Sequence, residues 1–440
     1  MRGQPLNIPR LEPLKPTRSH TIAVLDIGSS KICCLIAKLR PCVPGEGFGA
    51  RTHQIEILGF GLQRARGVKR GVIVDMDMAE RGIRLAVEAA EKMAGVTVES
   101  VIVATAAGRI TSEAFQASVP IPSREVGEYD VSRVLGACAA QADDSDRSAL
   151  HVLPVGYKID GQDVVRDPRG MVGDRLSVDM HVVSAHSAAL RNVLICVERC
   201  HLGVETLVAT PYASGLAALV PDEIELGAAM IDMGAGTTSI GIFCDGRFHF
   251  ADVIAVGGHH VTLDLARGLG TTVEAAERIK ALYGSAISTP SDTRDLITVP
   301  PVDGREGHDI PAQVPRSFVT DVIRARVEEI FELVRDRLAA NGFSGIAAQR
   351  LVLTGGASSL TGIAETAERI LEARVRLGRP LGVHGLPESA RGPGFAAACG
   401  LLVYPQVAAE EDHRRAPGFL GLTGTDGYFS RVGQWIRESF

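Results

Sequence analysis

The sequence predicts an α/β fold of two related lobes, and three observations carry that expectation. One short device occurs twice, at Asp26-Ile27-Gly28-Ser29-Ser30-Lys31 and at Asp232-Met233-Gly234-Ala235-Gly236-Thr237-Thr238. Each copy follows an apolar run (Thr21 to Leu25; Gly227 to Ile231) and precedes another (Ile32 to Ala37; Ser239 to Cys244). Between the copies, residues 108–183 are broken by Gly161, Pro168-Arg169-Gly170 and Gly173 in the manner of a separate small α/β unit.

Each copy puts an Asp at the end of a strand, then a tight turn, then a second strand. A P-loop or dinucleotide fingerprint instead runs from strand through loop into a helix. The half-match of Gly234-x-Gly236 to a dinucleotide fingerprint is discounted because no helix follows. Two such hairpin turns, one per lobe, suit a phosphate chain held between them. Glycine lets the backbone approach, Ser, Thr and N–H groups donate, and Asp26 and Asp232 can hold Mg2+ through its waters. Lys31 is positioned for a β- or γ-phosphate, with a solvated hairpin charge as the alternative. Leu353-Thr354-Gly355-Gly356 ends a further strand and is expected to open a helix, which suits an adenine face or a phosphate. Glu277 and Lys280 share a helix face at i, i+3, so they are either a ribose contact or a surface salt pair. No catalytic base can be assigned. The segment 210–214 offers only Thr, Tyr and Ser, which leaves slow hydrolysis by positioning and electrostatics.

Along the chain, Met1 to His20 is basic and Pro-rich without an apolar signal core, and reads as a disordered tail. Helices are expected over Met78–Met93 (apolar at Ile83, Val87, Ala90 and Met93), Asp130–Gln141, Ala188–Cys200, Tyr212–Leu219, Val261–Leu269, Thr272–Leu282 and Phe318–Leu338. Strands are expected over Ile55–Phe60, Val101–Ala104, Phe115–Ile121 and Gly203–Val208. Ser285 to Val314 is polar and Pro-rich, hence loop-rich. Charge, Pro and Gly between Ala408 and Gly424 mark a flexible linker.

Wound as a helix, Thr425 to Phe440 gathers Tyr428, Phe429, Val432, Trp435, Ile436 and Phe440 in an arc of roughly 140°. The segment is too short and polar to span a bilayer, so it would lie in the interface plane or on a partner. Docking on the body's own core is the alternative.

A length of 440 residues bounds the chain to two or more domains. A net charge of −6 argues against a nucleic-acid binder driven by global positive charge. No run of about 18 apolar residues exists, so no membrane span is expected. The eight cysteines form no Cys-x-x-Cys pair and read as free thiols. Cys196, Cys200 and His201 could suggest a metal, but i, i+4 apolar packing explains the cysteines more simply.

The quoted residues resemble the actin/Hsp70/sugar-kinase superfamily and, within it, the FtsA family of bacterial cell-division proteins. The resemblance spans nearly the whole chain, through "VLDIGSSK", "MIDMGAGTTSIGIF", "AAERIKALYGSA", "RLVLTGGASSLTGI" and the terminal "VGQWIRESF". It implies an actin-like, duplicated ribonuclease-H-like fold with an FtsA-type inserted subdomain and a C-terminal amphipathic helix. The implied parts are a tail (1–19), subdomain 1A (20–105, 184–213, 386–405), 1C (106–183), 2A (214–250, 331–385), 2B (251–330), a linker (406–424) and the helix (425–440). It implies ATP and Mg2+ held by Asp26, Gly28, Ser29, Ser30, Lys31, Asp232, Gly234, Gly236, Thr237, Thr238, Glu277, Lys280, Gly355 and Gly356. It further implies filaments of the chain itself and a site for the FtsZ tail at Arg326 and Glu329. Downstream division proteins would be met through 1C, and the helix would lie on the cytoplasmic face of the inner membrane, with ATP turnover slow at most. The alternatives are a PilM-like pilus scaffold or another actin-fold ATPase or kinase.

Overall fold

The computed structural model describes residues 6, 8–11, 13–42, 47–49, 51–141, 146–162, 164–301 and 312–411. The expected helix over 425–440, with its apolar arc, lies outside the described residues.

The first lobe opens with β1 (His20–Ile27), β2 (Lys31–Pro41) and β3 (His53–Arg64), followed by a small hairpin, β4 (Val68–Lys69) and β5 (Val72–Ile73). Helix α1 (Met76–Ala94) is capped by the Asp75 side chain, which accepts from the Met78 N–H, and buries Ala79, Ile83, Ala86, Val87 and Ala90 on one face. Strand β6 (Ser100–Thr105) precedes the inserted unit, which comprises β7 (Thr111–Pro120), α2 (Glu128–Ala139), β8 (Arg147–Ile159) and β9 (Arg175–His186). Its antiparallel sheet, in the order β7-β9-β8, has its own apolar core around Val134, Leu176 and Val178. The chain returns through α3 (Ser187–Glu198) and β10 (Gly203–Ala209).

Helices α4 (Thr210–Ala218) and α5 (Pro221–Leu226) lead into the second lobe. Its elements are β11 (Ala228–Met233), β12 (Thr238–Cys244), β13 (Arg247–Ile254), α6 (Gly258–Leu269), α7 (Val273–Tyr283), β14 (Leu296–Val299), β15 (Ala312–Pro315), α8 (Arg316–Ala340), α9 (Ser344–Gln349), β16 (Leu351–Thr354), α10 (Ile363–Leu371) and β17 (Val375–Leu377). Strand β18 (Val383–His384) then adds to the first lobe, and α11 (Ala396–Val403) packs under it.

The duplication is visible in the sheets. Lobe one runs β10-β6-β1-β2-β3-β18 and lobe two runs β13-β12-β11-β16-β17. In both, three antiparallel strands continue into parallel neighbours. Both first strands therefore end at the same edge of their sheets, and both carry an Asp there.

Three expectations need correction. The tail expected to be disordered over 1–19 packs on the body along its described part: Ile8 is buried and Leu6, Leu11 and Leu14 lie against the first lobe's core. Their apolar spacing outweighs the Pro and basic content around them. The linker expected from 406 starts later. Ala408 and Glu411 are buried, in 3-10 turns that continue α11 (Tyr404–Gln406; Ala408–Glu411). The expected loop over 285–314 contains the paired strands β14 and β15. In addition, β13 and α8 run across the boundaries expected at 250/251 and 330/331.

Helices α4 and α11 cross so closely that a Cβ on Gly400 would lie 1.7 Å from the Ala213 carbonyl oxygen. Gly400→Ala should therefore destabilise the fold by about 3 kcal/mol or more, read from urea unfolding. A change below about 1 kcal/mol would show that the helices part without cost.

Candidate nucleotide cleft

The two hairpin turns are geometrically alike. The Gly28 N–H donates to the Lys31 carbonyl at 3.0 Å, and the Gly234 N–H donates to the Thr237 carbonyl at 2.9 Å. The turns also touch. A Cβ on Gly236 would sit 2.5 Å from Ser29 Oγ and 2.9 Å from Arg70 Cα. Ser29 Oγ accepts from the Gly71 N–H at 3.0 Å. The β4–β5 turn, with Arg70 at φ 51°, thus joins the two lobes at their phosphate-like ends. Its signal in the sequence is Arg70-Gly71 between Val68-Lys69 and Val72-Ile73, too short a pattern to stand out.

Asp232 is 7% exposed and accepts from the Ser214 hydroxyl on α4. Ser214 stands in the very segment where no base could be chosen, and it acts as a brace. Asp26 faces the same space. Burial pushes its carboxyl up to about 6, Lys31 pulls it down and Asp232 pushes it up. Burial also raises the Asp232 carboxyl, against Ser214 and Lys31. Burial lowers the Lys31 ammonium, with Asp26 the largest opposing influence. Two carboxylates and one lysine drawn out of water in one gap form an under-neutralised cluster. Lys31 itself donates to the Gly394 carbonyl and lies 3.5 Å over the Phe395 ring.

Gly355, at φ 86°, completes the floor: a Cβ there would meet Asp232 Oδ1 at 2.3 Å. Gly356 is exposed and opens a 3-10 turn, Gly356–Ser359, and not the helix that was expected; α10 starts only at Ile363. Glu277 and Lys280 are paired at 2.8 Å; Lys280 is turned in toward α6, whereas Glu277 bonds Thr262 of α6 from an exposed position. Lys280 Nζ donates to Thr262 Oγ1 at 2.8 Å and to the Gly258 carbonyl at 3.2 Å, beside the second turn, whose Gly234 carbonyl accepts from the Gly258 N–H at 2.9 Å. The Thr238 hydroxyl donates to the Val256 carbonyl, so it braces the turn. Ser30 and Thr237 sit on the rims of the two turns. The residues present fit a magnesium nucleotide: one buried and one half-buried carboxylate lacking enough positive charge, and two glycine turns whose backbones face one gap.

Arg326 and Glu329 lie elsewhere, on α8. They pair with each other, and Arg326 also reaches Asp264 on α6 at 2.5 Å. Among the described residues, no group of His, Cys, Asp and Glu is arranged to hold a metal through three such side chains, and Cys196 and Cys200 are buried.

A family model described as "Cell division protein FtsA" matches residues 229–400, and one described as "SHS2 domain inserted in FTSA" matches 107–184. Proteins named "Cell division protein FtsA" are 54% identical in Agrobacterium fabrum (98% of each chain) and 30% identical in Escherichia coli (97% of this chain, 100% of that one). The chain belongs to the FtsA family. The inserted FtsA domain accounts for the β7–α2–β8–β9 unit, which interrupts the first lobe after β6. The FtsA chain also shares its fold with more distant structures. One is a "PilM-PilN type IV pilus biogenesis complex", with a TM-score of 0.59 and 17% identity over 88% of this chain and 98% of that one. Another is MreB5 of Spiroplasma citri bound to ADP, with a TM-score of 0.51 and 14% identity over 91% of this chain and 100% of that one. The fold is therefore actin-like, and the protein is a cell-division protein of the FtsA family.

The Asp26 shift has a definite sign. A carboxyl raised on folding adds stability below its unfolded pKa and loses it as pH rises through the folded value, here from about 3.8 to about 6. Asp26→Asn should therefore stabilise the nucleotide-free protein at pH 7.5 by about 1–3 kcal/mol more than at pH 3.5, read from urea unfolding at both values. An effect independent of pH would mean that Asp26 is not desolvated.

Proposed function

We propose that this FtsA chain is an ATP-binding, membrane-tethering adaptor of the division septum. The observation that carries the reading is the pair of matched hairpin turns enclosing Asp26, Lys31 and Asp232. Gly28, Ser29, Ser30 and Lys31 would face the phosphates from one lobe, and Gly234, Gly236 and Thr237 from the other, with Thr238 bracing the second turn. Asp26 and Asp232 would hold Mg2+ through its waters, and the bound ion would neutralise phosphate charge. Gly355 and Gly356 would face the adenosine, and Glu277 and Lys280 the ribose side. The nucleotide-bound state described for the Spiroplasma citri MreB5 structure supports ATP or ADP as the ligand class.

Among the described residues, the proton acceptors in the gap are Asp26 and Asp232, and both are assigned to the ion. Ser214 is committed to Asp232, and Lys31 to the Gly394 carbonyl. Turnover is accordingly slow, and binding is the main task of the cleft.

The apolar arc of Tyr428, Phe429, Val432, Trp435, Ile436 and Phe440 would lie in the cytoplasmic face of the inner membrane. Its two arginines give modest attraction to anionic lipid, so attachment by one helix is weak and filaments of the chain strengthen it by multivalency. FtsZ would be received at Arg326 and Glu329, and later division proteins at the inserted subdomain 1C. No helix among the described residues is long and apolar enough to cross a membrane.

The test is co-sedimentation with anionic liposomes and ATP, with and without purified FtsZ, comparing the full chain, a chain ending at Gly424 and Trp435→Glu. The full chain should carry FtsZ to lipid, and both altered chains should lose at least about tenfold in lipid binding, since each large apolar group is worth roughly 1.5–3 kcal/mol. Equal binding by all three would remove the tether. Lipid binding without FtsZ capture would favour a pilus-type scaffold on the same fold.

A further inference from the structure

Glu411 is the last described residue before the segment that ends in the apolar arc, and it is 5% exposed. Its carboxylate accepts from His151 Nδ1 at 3.0 and 3.1 Å, and His151 is itself fully buried on β8 of the inserted unit. The tautomer follows from the other ring nitrogen. His151 Nε2 accepts the Ala209 backbone N–H at 2.9 Å, so the proton of the neutral ring is on Nδ1. Tyr404 adds a hydroxyl donor to Glu411 and is in turn bonded by Thr206; burial holds its phenol well above the ordinary range, so it remains a donor. From the tail, Arg10 Nη1 donates to the Glu411 carbonyl at 3.5 Å.

The two residues next to this anchor begin and end two helices. Ala209 directly precedes α4, and Tyr404 directly follows α11. Each helix reaches the cleft at a second point. Four residues into α4, the Ser214 hydroxyl donates to Asp232. Directly before α11, the Gly394 carbonyl accepts from Lys31 while the Phe395 ring lies under the same ammonium. The Pro393 carbonyl also accepts from the Gly355 N–H at 3.1 Å, on the floor of the cleft. Between these ends the helices are locked together at Gly400 and Ala213 with no side chain intervening. The far end is also locked, because the Tyr212 ring stacks on Phe248 at 4.6 Å and meets His151 at 5.0 Å and Tyr404 at 6.0 Å.

We propose that α4 and α11 act as one unit that ties the occupancy of the cleft to the anchoring of Glu411, and so to the root of the C-terminal segment and its seat against the inserted unit. The proposal rests on the reading of the cleft as an ATP site. A ligand that draws Lys31 from Gly394, or takes up the Asp232 carboxylate, changes the contact that each helix makes at its cleft end. Helices without a soft layer between them move together or not at all. The motion then reaches a buried carboxylate held by Tyr404, directly after α11, and by His151 on β8, whose other ring nitrogen accepts from the residue before α4.

The experiment is hydrogen exchange on the full chain with and without Mg-ATP, with ATP binding measured by calorimetry on the same samples. Mg-ATP should change exchange over 404–411 and 148–152 by about fivefold or more. Glu411→Gln and Tyr404→Phe, both distant from the cleft, should fold, reduce that change to less than about twofold, and shift ATP affinity by the factor lost, since coupling is reciprocal. If the wild-type chain binds ATP with exchange unaltered over 404–411, or if both variants keep the full response, the relay is wrong. If calorimetry finds no ATP binding, the reading of the cleft fails, and the proposal fails with it.

Discussion

Two carboxylates drawn out of water on opposite sides of one gap set the terms for the rest of the structure. Asp26 and Asp232 end equivalent strands of two equivalent sheets, and burial raises the proton affinity of both. Such a pair costs stability unless positive charge is brought to it. Lys31 supplies one charge, but it is itself half-desolvated and is shared with the Gly394 carbonyl and the Phe395 ring. The gap thus stays short of cations, which is what makes it suited to a magnesium nucleotide.

The architecture can be read as the means of placing those groups. The antiparallel triplet in each lobe turns at the gap, and elements that follow β10, β13 and β18 brace the turns. α4 reaches Asp232 from behind, α6 bonds the second turn through the Gly258 N–H, and the segment before α11 closes over Lys31. The inserted unit keeps a core of its own and meets the body along β13 and β10 and at the buried His151. An addition with a separate core can interrupt the first lobe without disturbing the gap.

How much was legible in the sequence follows from the range of each signal. The hairpin turns were legible because an apolar run, Asp, Gly and a second apolar run are local features. So were α1 and α8, whose apolar periodicity is strong over four or more turns. The pairing of Lys31 with Gly394 was not, because 363 residues separate them and neither has a pattern of its own. Glu411 was read as part of a charged linker. Only His151 and Tyr404, brought together by the fold, make a buried carboxylate there affordable. The tail was misread for a related reason: Leu6, Ile8, Leu11 and Leu14 look sparse among prolines until the first lobe offers a surface for them. Thr238 was assigned to phosphate by its place in the motif, whereas its hydroxyl braces the turn.

The central claim is that one ligand is held from both lobes at once. Calorimetric titration of the full chain with Mg-ATP, alongside Lys31→Ala and Asp232→Asn, tests it most directly. The account predicts saturable binding by the parent chain and a loss of at least about tenfold, or about 1.4 kcal/mol, from either substitution, with folding retained. Unchanged affinity in either variant would mean that its lobe does not hold the ligand, and the two-sided cleft would be contradicted.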